Sequence, residues 1–300
     1  MVRPQTLPSS GPVFDGDFPD PFLLLSGDRY FAYGTQTGDL NVQVMESADL
    51  ERWKHRGEAL PELPAWAERG RAWSPAVLGR DDGLVLYYAV RHRGAGRQCI
   101  SVATASHPAG PFVDRSAEPL IFQEDRGGSI DPSSFVDADG KAYLLWKSDD
   151  NAIGAGPSLW GAPLQSDGLA LAGSPVELLA HDAAWEEPLV EAPSLAGVGD
   201  GRYVLFYSGG WWESAGYASG YAIGPGPLGP FRKETQDRPW LASEPGMAGP
   251  GGAEVFVAAD GGWRIAFHAW TPPRVGYAAG GERSLWIEPL AFEGGHPALG

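Results

Sequence analysis

The chain is a succession of short apolar runs separated by turns that contain glycine and aspartate. Five of these turns lead directly into a run of aromatic and aliphatic residues. Asp and Gly between two such runs are a strong signal for a β-hairpin, because the turn needs positive φ angles that glycine adopts freely. The five turn-and-strand segments are residues 26–33, 82–88, 139–146, 200–207 and 260–267. The pattern therefore predicts β-structure throughout the chain.

These segments recur at nearly constant intervals. Aligned on the second residue after the turn, they are separated by 55, 57, 61 and 60 residues. The aligned residues are Tyr30, Val85, Ala142, Tyr203 and Trp263. About 60 residues accommodate four short strands, which is one blade of a β-propeller. We therefore predict an all-β fold in which residues 1–300 form a single five-bladed β-propeller domain. The alternative, a β-sandwich, has closer and less regular turns.

A second recurring feature lies upstream of each hairpin, where a residue is followed by proline. The four pairs are Asp20-Pro21, Ser74-Pro75, Asp131-Pro132 and Ala192-Pro193. The fifth unit has residues 249–252, Gly-Pro-Gly-Gly, instead. Because proline lacks an N–H donor, it belongs at a strand start or an unpaired edge. We expect these prolines to mark the start of each blade's innermost strand, beside the central channel.

Three acids accompany these prolines, and in a propeller they would converge on one end of the channel. Asp20 and Asp131 directly precede prolines, and Glu191 lies two residues before one. Each acid alone fits a turn or a solvated loop, but three in register indicate a shared site. Glycoside hydrolysis requires two carboxyls of different acidity. The aromatic residues expected around these acids, as faces for a sugar, are Phe18, Trp73 and Trp146.

The overall charge limits the possible partners. The formal net charge is −16, and no run of Lys or Arg offsets it, so nucleic acid is not an expected partner. The sequence has neither about 18 consecutive apolar residues for a membrane span nor an apolar export signal. We therefore expect a cytoplasmic protein without membrane contact, unless a leader has been removed. The single cysteine, Cys99, is expected to be a buried thiol.

Several segments, in this order along almost the whole chain, resemble glycoside hydrolase family 43. They are residues 18–21, 129–141, 190–194, 249–252, 266–270 and 283–290. The resemblance implies a five-bladed propeller that hydrolyses arabinan, xylan or related side chains with inversion. It also implies that Asp20 is the general base, that Glu191 is the general acid, and that Asp131 holds and orients the proton of Glu191. The base and the acid would then lie about 6.5–9.5 Å apart.

The last blade contributes two more candidates and one departure from the family. His268 could reach the channel, or it could be an ordinary buried strand histidine. Arg283 could grip sugar hydroxyls, or it could form a surface salt bridge. Many family members carry His near a central cation where this chain has Gly252. We predict no metal ligands and no required cofactor, and a structural calcium ion in the channel stays open.

The substrate is the least determined part of the prediction. The Gly-Pro-Gly-Gly and His-Ala-Trp segments resemble exo-acting arabinofuranosidases of the family more than its xylosidases, which implies release of arabinofuranosyl units from an oligosaccharide or polysaccharide. A β-xylosidase, an endo-arabinanase and a galactanase remain alternatives, as does a non-catalytic glycan-binding propeller. A retaining, invertase-like enzyme would carry Arg-Asp-Pro and Glu-Cys, whereas this chain has Ile130-Asp131 and Glu191-Ala192. Specificity is expected to depend on the loops at residues 209–222 and 89–97.

Overall fold

The computed structural model describes residues 5, 7 and 11–300, and within them nineteen strands form five antiparallel sheets in chain order. Blade one contains β1 (Phe22–Ser26), β2 (Arg29–Gly34), β3 (Gln43–Ser47) and β4 (Lys54–Glu58). Blade two contains β5 (Trp73–Arg80), β6 (Gly83–Arg91) and β7 (Gln98–Ala105). Blade three contains β8 (Ser129–Val136), β9 (Ala142–Ser148), β10 (Ser158–Pro163) and β11 (Val176–Ala180). Blade four contains β12 (Val190–Gly197), β13 (Tyr203–Gly209), β14 (Ala218–Gly224) and β15 (Arg232–Lys233). Blade five contains β16 (Ala248–Val257), β17 (Trp263–Trp270), β18 (Arg283–Glu293) and β19 (His296–Leu299).

Four short 3-10 helices lie in the loops of the described chain. They span Glu124–Arg126, Asp150–Ile153, Ala184–Glu186 and Tyr277–Ala279. No helix among the described residues is both long and apolar enough to cross a membrane.

The first strands of the five blades form a ring around the central channel. Each of β1, β5, β8 and β12 contacts the next, and β16 contacts β1, which closes the circle. The start of the described chain strengthens this closure, because the backbone of Val13 and Phe14 pairs with Leu285 in β18, at 2.9–3.3 Å. The predicted five-bladed propeller is confirmed.

The glycine and aspartate turns connect the first strand to the second in every blade. Strand pairing continues up to these turns, as in Ser26 opposite Arg29 and Val257 opposite Trp263. The turn glycines take the conformation the sequence requires, with φ of 62° at Gly27 and 80° at both Gly140 and Gly261. The hairpins that defined the repeat are therefore present.

Blade two differs from the predicted four strands. The chain after β7 returns beside it but makes only isolated pairs, between Thr104 and Val113 and between Ile100 and Ile121. This return, residues 106–121, contains three prolines. Each proline removes one possible donor from the sheet ladder.

Buried side chains fill the spaces between neighbouring blades. Between blades one and two, Tyr33 packs edge-on against Phe112, with ring centroids 6.2 Å apart. Cys99 lies in the same cluster and is fully buried, as predicted. This packing fixes the blades around the channel and holds the ends of the innermost strands in place.

The prolines mark an irregularity at the channel end of the innermost strands. The residue before each proline has positive φ, and these residues are Asp20, Ser74, Asp131 and Ala192, at 45–54°. In blades two, three and four the proline lies inside the strand, where the register with the next strand shifts. The prediction that the proline starts the strand thus holds only for blade one, where β1 begins directly after Pro21. Left-handed backbone costs a non-glycine residue roughly 1 kcal/mol or more, and such strain is concentrated at functional sites.

Candidate active site

The structure brings Asp20, Asp131 and Glu191 into one cavity of about 610 Å³ at the mouth of the channel. Asp20 comes from the entry to blade one, Asp131 from β8 and Glu191 from β12. Asp20 and Asp131 are themselves left-handed residues, and Glu191 directly precedes the left-handed Ala192, so the backbone is irregular at each acid. The convergence expected from the repeat is therefore present.

Asp20 is held as an anion by its neighbours. The Thr35 hydroxyl donates a hydrogen bond to Asp20 Oδ2 at 2.5 Å, and Arg283 Nη1 lies 3.6 Å from Oδ1. Burial on its own raises the pKa of Asp20, but the Arg283 guanidinium and hydroxyl donors outweigh it and hold the pKa below its ordinary value. A half-buried carboxylate that stays ionised can accept a proton from water.

The Asp131 carboxyl group accepts a hydrogen bond on each of its two oxygens. Its Oδ1 accepts a hydrogen bond from Ser74 Oγ at 2.7 Å, and its Oδ2 accepts one from the backbone N–H of Ala192 at 3.0 Å. Burial and the nearby Glu191 carboxylate raise the pKa of Asp131 to about 7. The raised pKa allows Asp131 to carry a proton near neutral pH.

Glu191 has a partner on each carboxylate oxygen. The Tyr217 hydroxyl donates a hydrogen bond to Oε1 at 2.8 Å, and Lys147 Nζ lies 3.2 Å from Oε2. All three side chains are buried, Glu191 with 8% of its surface exposed. Asp131 is bonded to the peptide that directly follows Glu191. The orientation of Glu191 is thus fixed by side chains from blades three and four and by a backbone contact.

The structure divides the five predicted sugar-binding residues into two groups. Trp73 and Arg283 line the cavity. Phe18, Trp146 and His268 have no exposed surface. A fully buried side chain cannot contact a sugar that enters the cavity, which corrects the prediction for these three residues.

Each of the three buried residues has a structural role instead. The Phe18 ring lies under Gly34, where a Cβ would come within 3.2 Å of it. The Trp146 indole N–H donates to Gln123 at 2.7 Å, between blades two and three. The His268 Nδ1 accepts a hydrogen bond from the backbone N–H of Asp20 at 3.0 Å, and burial lowers its pKa to about 3, so the ring is neutral. His268 therefore supports the base from beneath the cavity.

Arg283 is fixed by an aromatic cage at the cavity wall. Its guanidinium lies 4.7 Å from the Trp212 ring centroid and 5.5 Å from that of Tyr277. The Tyr277 hydroxyl accepts hydrogen bonds from Arg283 at 3.1–3.2 Å. The Asp17 carboxylate accepts hydrogen bonds from the Tyr277 hydroxyl and from the backbone N–H of Arg283. These contacts hold the Arg283 cation beside Asp20, and they lower the free-energy cost of burying the guanidinium.

Sequence reasoning missed several residues that contact the three acids. Ser74 was visible, because it occupies the same position before proline as Asp20 and Asp131. Lys147 left a weaker signal, as a lysine inside an apolar strand. Thr35 and Tyr217 left none, because their contacts join distant parts of the chain. The missed residues are Thr35, Ser74, Lys147 and Tyr217.

The fifth blade completes the ring of left-handed positions with Gly252, at φ 61°. A Cβ on Gly252 would lie 2.7 Å from His268 Nδ1, so a larger residue does not fit while the histidine is in place. Within the described residues, no group of three or more His, Cys, Asp or Glu side chains is arranged to hold a metal ion. The absence of a required cofactor stays a prediction, and a structural calcium ion in the channel stays open.

Comparison with known proteins finds one family model and several relatives that match most of the chain. The model of a family described as glycosyl hydrolases family 43 matches residues 9–297. A putative β-xylosidase of Xylanibacter ruminicola is 23% identical over 94% of this chain and 49% of that protein. A non-reducing end α-L-arabinofuranosidase of Bacteroides ovatus is 27% identical over 96% of this chain and 53% of that protein. The chain thus spans about half the length of these two relatives.

Solved structures share the fold over nearly the full length. A thermostable family-43 glycoside hydrolase has a TM-score of 0.85 and 29% identity, covering 98% of this chain and 96% of that one. An endo-1,4-β-xylanase of Bacteroides thetaiotaomicron has a TM-score of 0.80 and 27% identity, covering 98% and 97%. The fold and the acid-lined cavity thus define the class, a β-propeller of the glycoside hydrolase type. Because the family model covers almost all of it, the chain belongs to glycosyl hydrolase family 43.

Proposed function

We propose that this protein is an inverting glycoside hydrolase that releases arabinofuranosyl units from arabinan, arabino-oligosaccharides or arabinoxylan side chains. The observation that carries the proposal is that one cavity holds Asp20, whose pKa is lowered, together with Glu191 and with Asp131, whose pKa is raised. One-step hydrolysis needs a base and an acid at the same bond.

In the proposed mechanism, Asp20 accepts a proton from a water molecule as that water attacks the anomeric carbon. Glu191 donates its proton to the glycosidic oxygen, which then leaves as a hydroxyl. Asp131 bonds the backbone beside Glu191 and keeps a proton on the pair until it is needed. Asp131 and Glu191 are buried and Asp20 is half-buried, which strengthens each charge interaction because water screens it less.

The cavity wall supports a sugar as the substrate. Trp73, Trp211, Trp212 and Tyr277 line it, and their flat faces suit the C–H faces of a sugar ring. Trp211 is 46% exposed, so it is available to a bound ligand. The choice of an arabinofuranoside is supported by the Bacteroides ovatus relative, whereas the Xylanibacter relative favours a xyloside.

Turnover of model glycosides tests the proposal. Nitrophenyl α-L-arabinofuranoside is expected to be hydrolysed faster than nitrophenyl β-D-xyloside, and both faster than by Asp20→Asn protein prepared in parallel. Faster hydrolysis of the xyloside assigns the β-xylosidase alternative, and cleavage of linear arabinan alone assigns endo-arabinanase. Binding of arabino-oligosaccharides without turnover of any of these substrates contradicts the hydrolase and favours a glycan-binding propeller.

The stereochemistry of the first product is the second expected result. Proton NMR during early hydrolysis should show a sugar whose anomeric configuration is opposite to that of the substrate, since water attacks directly. Mutarotation is slow enough on this timescale for early spectra to report the enzymatic product. Initial retention would contradict the one-step mechanism and indicate a covalent intermediate.

The pH dependence should report the Arg283 contact with Asp20. In Arg283→Met, burial is expected to raise the pKa of Asp20 without the opposing guanidinium. The base works only when ionised, so the acidic limb of kcat/KM should move to higher pH by about one unit or more. Arg274→Met, which removes an exposed arginine near the same wall, is the matched control. An unmoved acidic limb in active Arg283→Met protein contradicts this role.

A further inference from the structure

Lys147 is a buried cation that the mechanism above does not use. It lies on β9 with 1% of its surface exposed. Its Nζ lies 3.2 Å from Glu191 Oε2 and 3.5 Å from Asp149 Oδ1. Burying an ammonium group costs several kcal/mol unless partners compensate, and its neighbours on the strand, Leu145 and Trp146, are apolar. A lysine at this position therefore requires an explanation beyond packing.

Charged and titratable groups surround Glu191 from four blades. Asp131 and Asp149 approach from blade three, and Asp20 from blade one, and their negative charges favour a protonated Glu191. Lys147 and the Tyr217 hydroxyl favour the ionised form, because both donate hydrogen bonds to its oxygens. His268, from blade five, stacks on Tyr217 and is neutral.

Both carboxyl oxygens of Glu191 contact a donor, the Tyr217 hydroxyl at Oε1 and the Lys147 ammonium at Oε2. A proton on Oε2 would meet the Lys147 ammonium, which must then turn to another acceptor. Asp149 supplies that acceptor at nearly the same distance. Lys147 thus stands between two carboxylates, only one of which belongs to the proposed acid.

We propose that Lys147 is a positioning residue that bonds Asp149 while Glu191 is protonated and moves onto Glu191 Oε2 as the proton leaves. This role rests on the proposed function. In the step, the Glu191 O–H bond breaks, the proton forms an O–H bond with the leaving group, and the electron pair stays on the glutamate. Lys147 keeps its own protons and stabilises the new carboxylate. It thereby sets the pH at which Glu191 loses its proton and activity falls.

Two variants should move the alkaline limb of the pH profile of kcat/KM in opposite directions. Lys147→Met removes the cation, so Glu191 should keep its proton to higher pH, by about one unit or more. Asp149→Asn removes an anion and leaves only a neutral, weaker acceptor, so Lys147 stays on Glu191 and the limb should move to lower pH. Asp149→Asn also provides a test if Lys147→Met does not fold, because asparagine preserves the shape of the turn.

The dependence on the leaving group gives a second measurement. Lys147→Met should slow cleavage of arabino-oligosaccharides by about tenfold or more, since their leaving oxygen needs the proton. It should slow a dinitrophenyl arabinofuranoside much less, because that leaving group departs without protonation. Lys233→Met is the matched control, since Lys233 is also buried between two acids, Asp182 and Glu186, in another part of the fold.

The outcomes separate this role from the proposed function. A purely structural lysine would lower the rate without moving the alkaline limb in either variant, and that result overturns the role of Lys147 alone. A shift of the same size in Lys233→Met protein also overturns it. Wild-type protein that hydrolyses no glycoside overturns the proposed function and this role together.

Discussion

Asp20→Asn is expected to lower kcat/KM for the preferred glycoside by about 10³- to 10⁴-fold, because an amide cannot accept the proton of the attacking water. The loss should be similar for a dinitrophenyl and an oligosaccharide leaving group, since the missing step concerns water in both. Thermal unfolding should change little. Asparagine tolerates the left-handed backbone at this position, φ 54°, and can still accept the Thr35 hydrogen bond.

The matched control for this variant is Asp200→Asn. Asp200 is also an aspartate with positive φ, at 51°, but it lies exposed in the turn between β12 and β13. It should retain wild-type kcat/KM and the wild-type pH profile. Activity of Asp20→Asn within about tenfold of wild type is incompatible with Asp20 as the general base.

Glu191→Gln is the second variant with a large expected effect, and here the leaving group decides the size. For an arabino-oligosaccharide, whose leaving alcohol must be protonated, kcat should fall by about 10³-fold or more. For a dinitrophenyl arabinofuranoside the loss should be about tenfold or less, because the leaving phenolate is stable without a proton. The alkaline limb of the pH profile should also disappear, since the group that titrates there is gone.

Glu254→Gln supplies the comparison for Glu191→Gln. Glu254 lies deeper in the channel, where burial raises its pKa to about 8, so it is mostly neutral at pH 7. Glutamine imitates the neutral acid, and turnover should be close to that of wild type. Equal losses of Glu191→Gln on both substrates would place Glu191 outside the proton transfer, and a large loss in Glu254→Gln would point to a general sensitivity of the channel.

The repeat was readable from the sequence because it depends on local chemistry. A tight turn needs Gly and Asp at fixed positions, and the same turn recurs in all five blades. The prolines that follow Asp20 and Asp131 place these two acids at equivalent positions of the repeat. The spacing of the turns did not predict that blade two lacks a continuous fourth strand, because pairing along β7 depends on the path of the returning chain.

The assignment of sugar-contacting residues failed where it depended on which face of a strand a side chain occupies. Trp146 and Lys147 are neighbours on β9, so their side chains point to opposite faces. The sequence favoured the aromatic residue, but Trp146 packs between blades and Lys147 reaches Glu191. His268 also looked like a channel residue, and it lies beneath Asp20 instead.

The sequence by itself determined the number of blades and the three acids that belong at the channel mouth, since turn geometry and strand period act over a few residues. Only the tertiary structure decided which neighbours surround each acid. Thr35, Arg283 and Lys147 come from three different blades, and their charges and donors act on the acids through space. Acidity depends on burial and on nearby charges, neither of which is a property of the residue type alone. The different acidities of chemically similar carboxyls are therefore a consequence of how the blades pack.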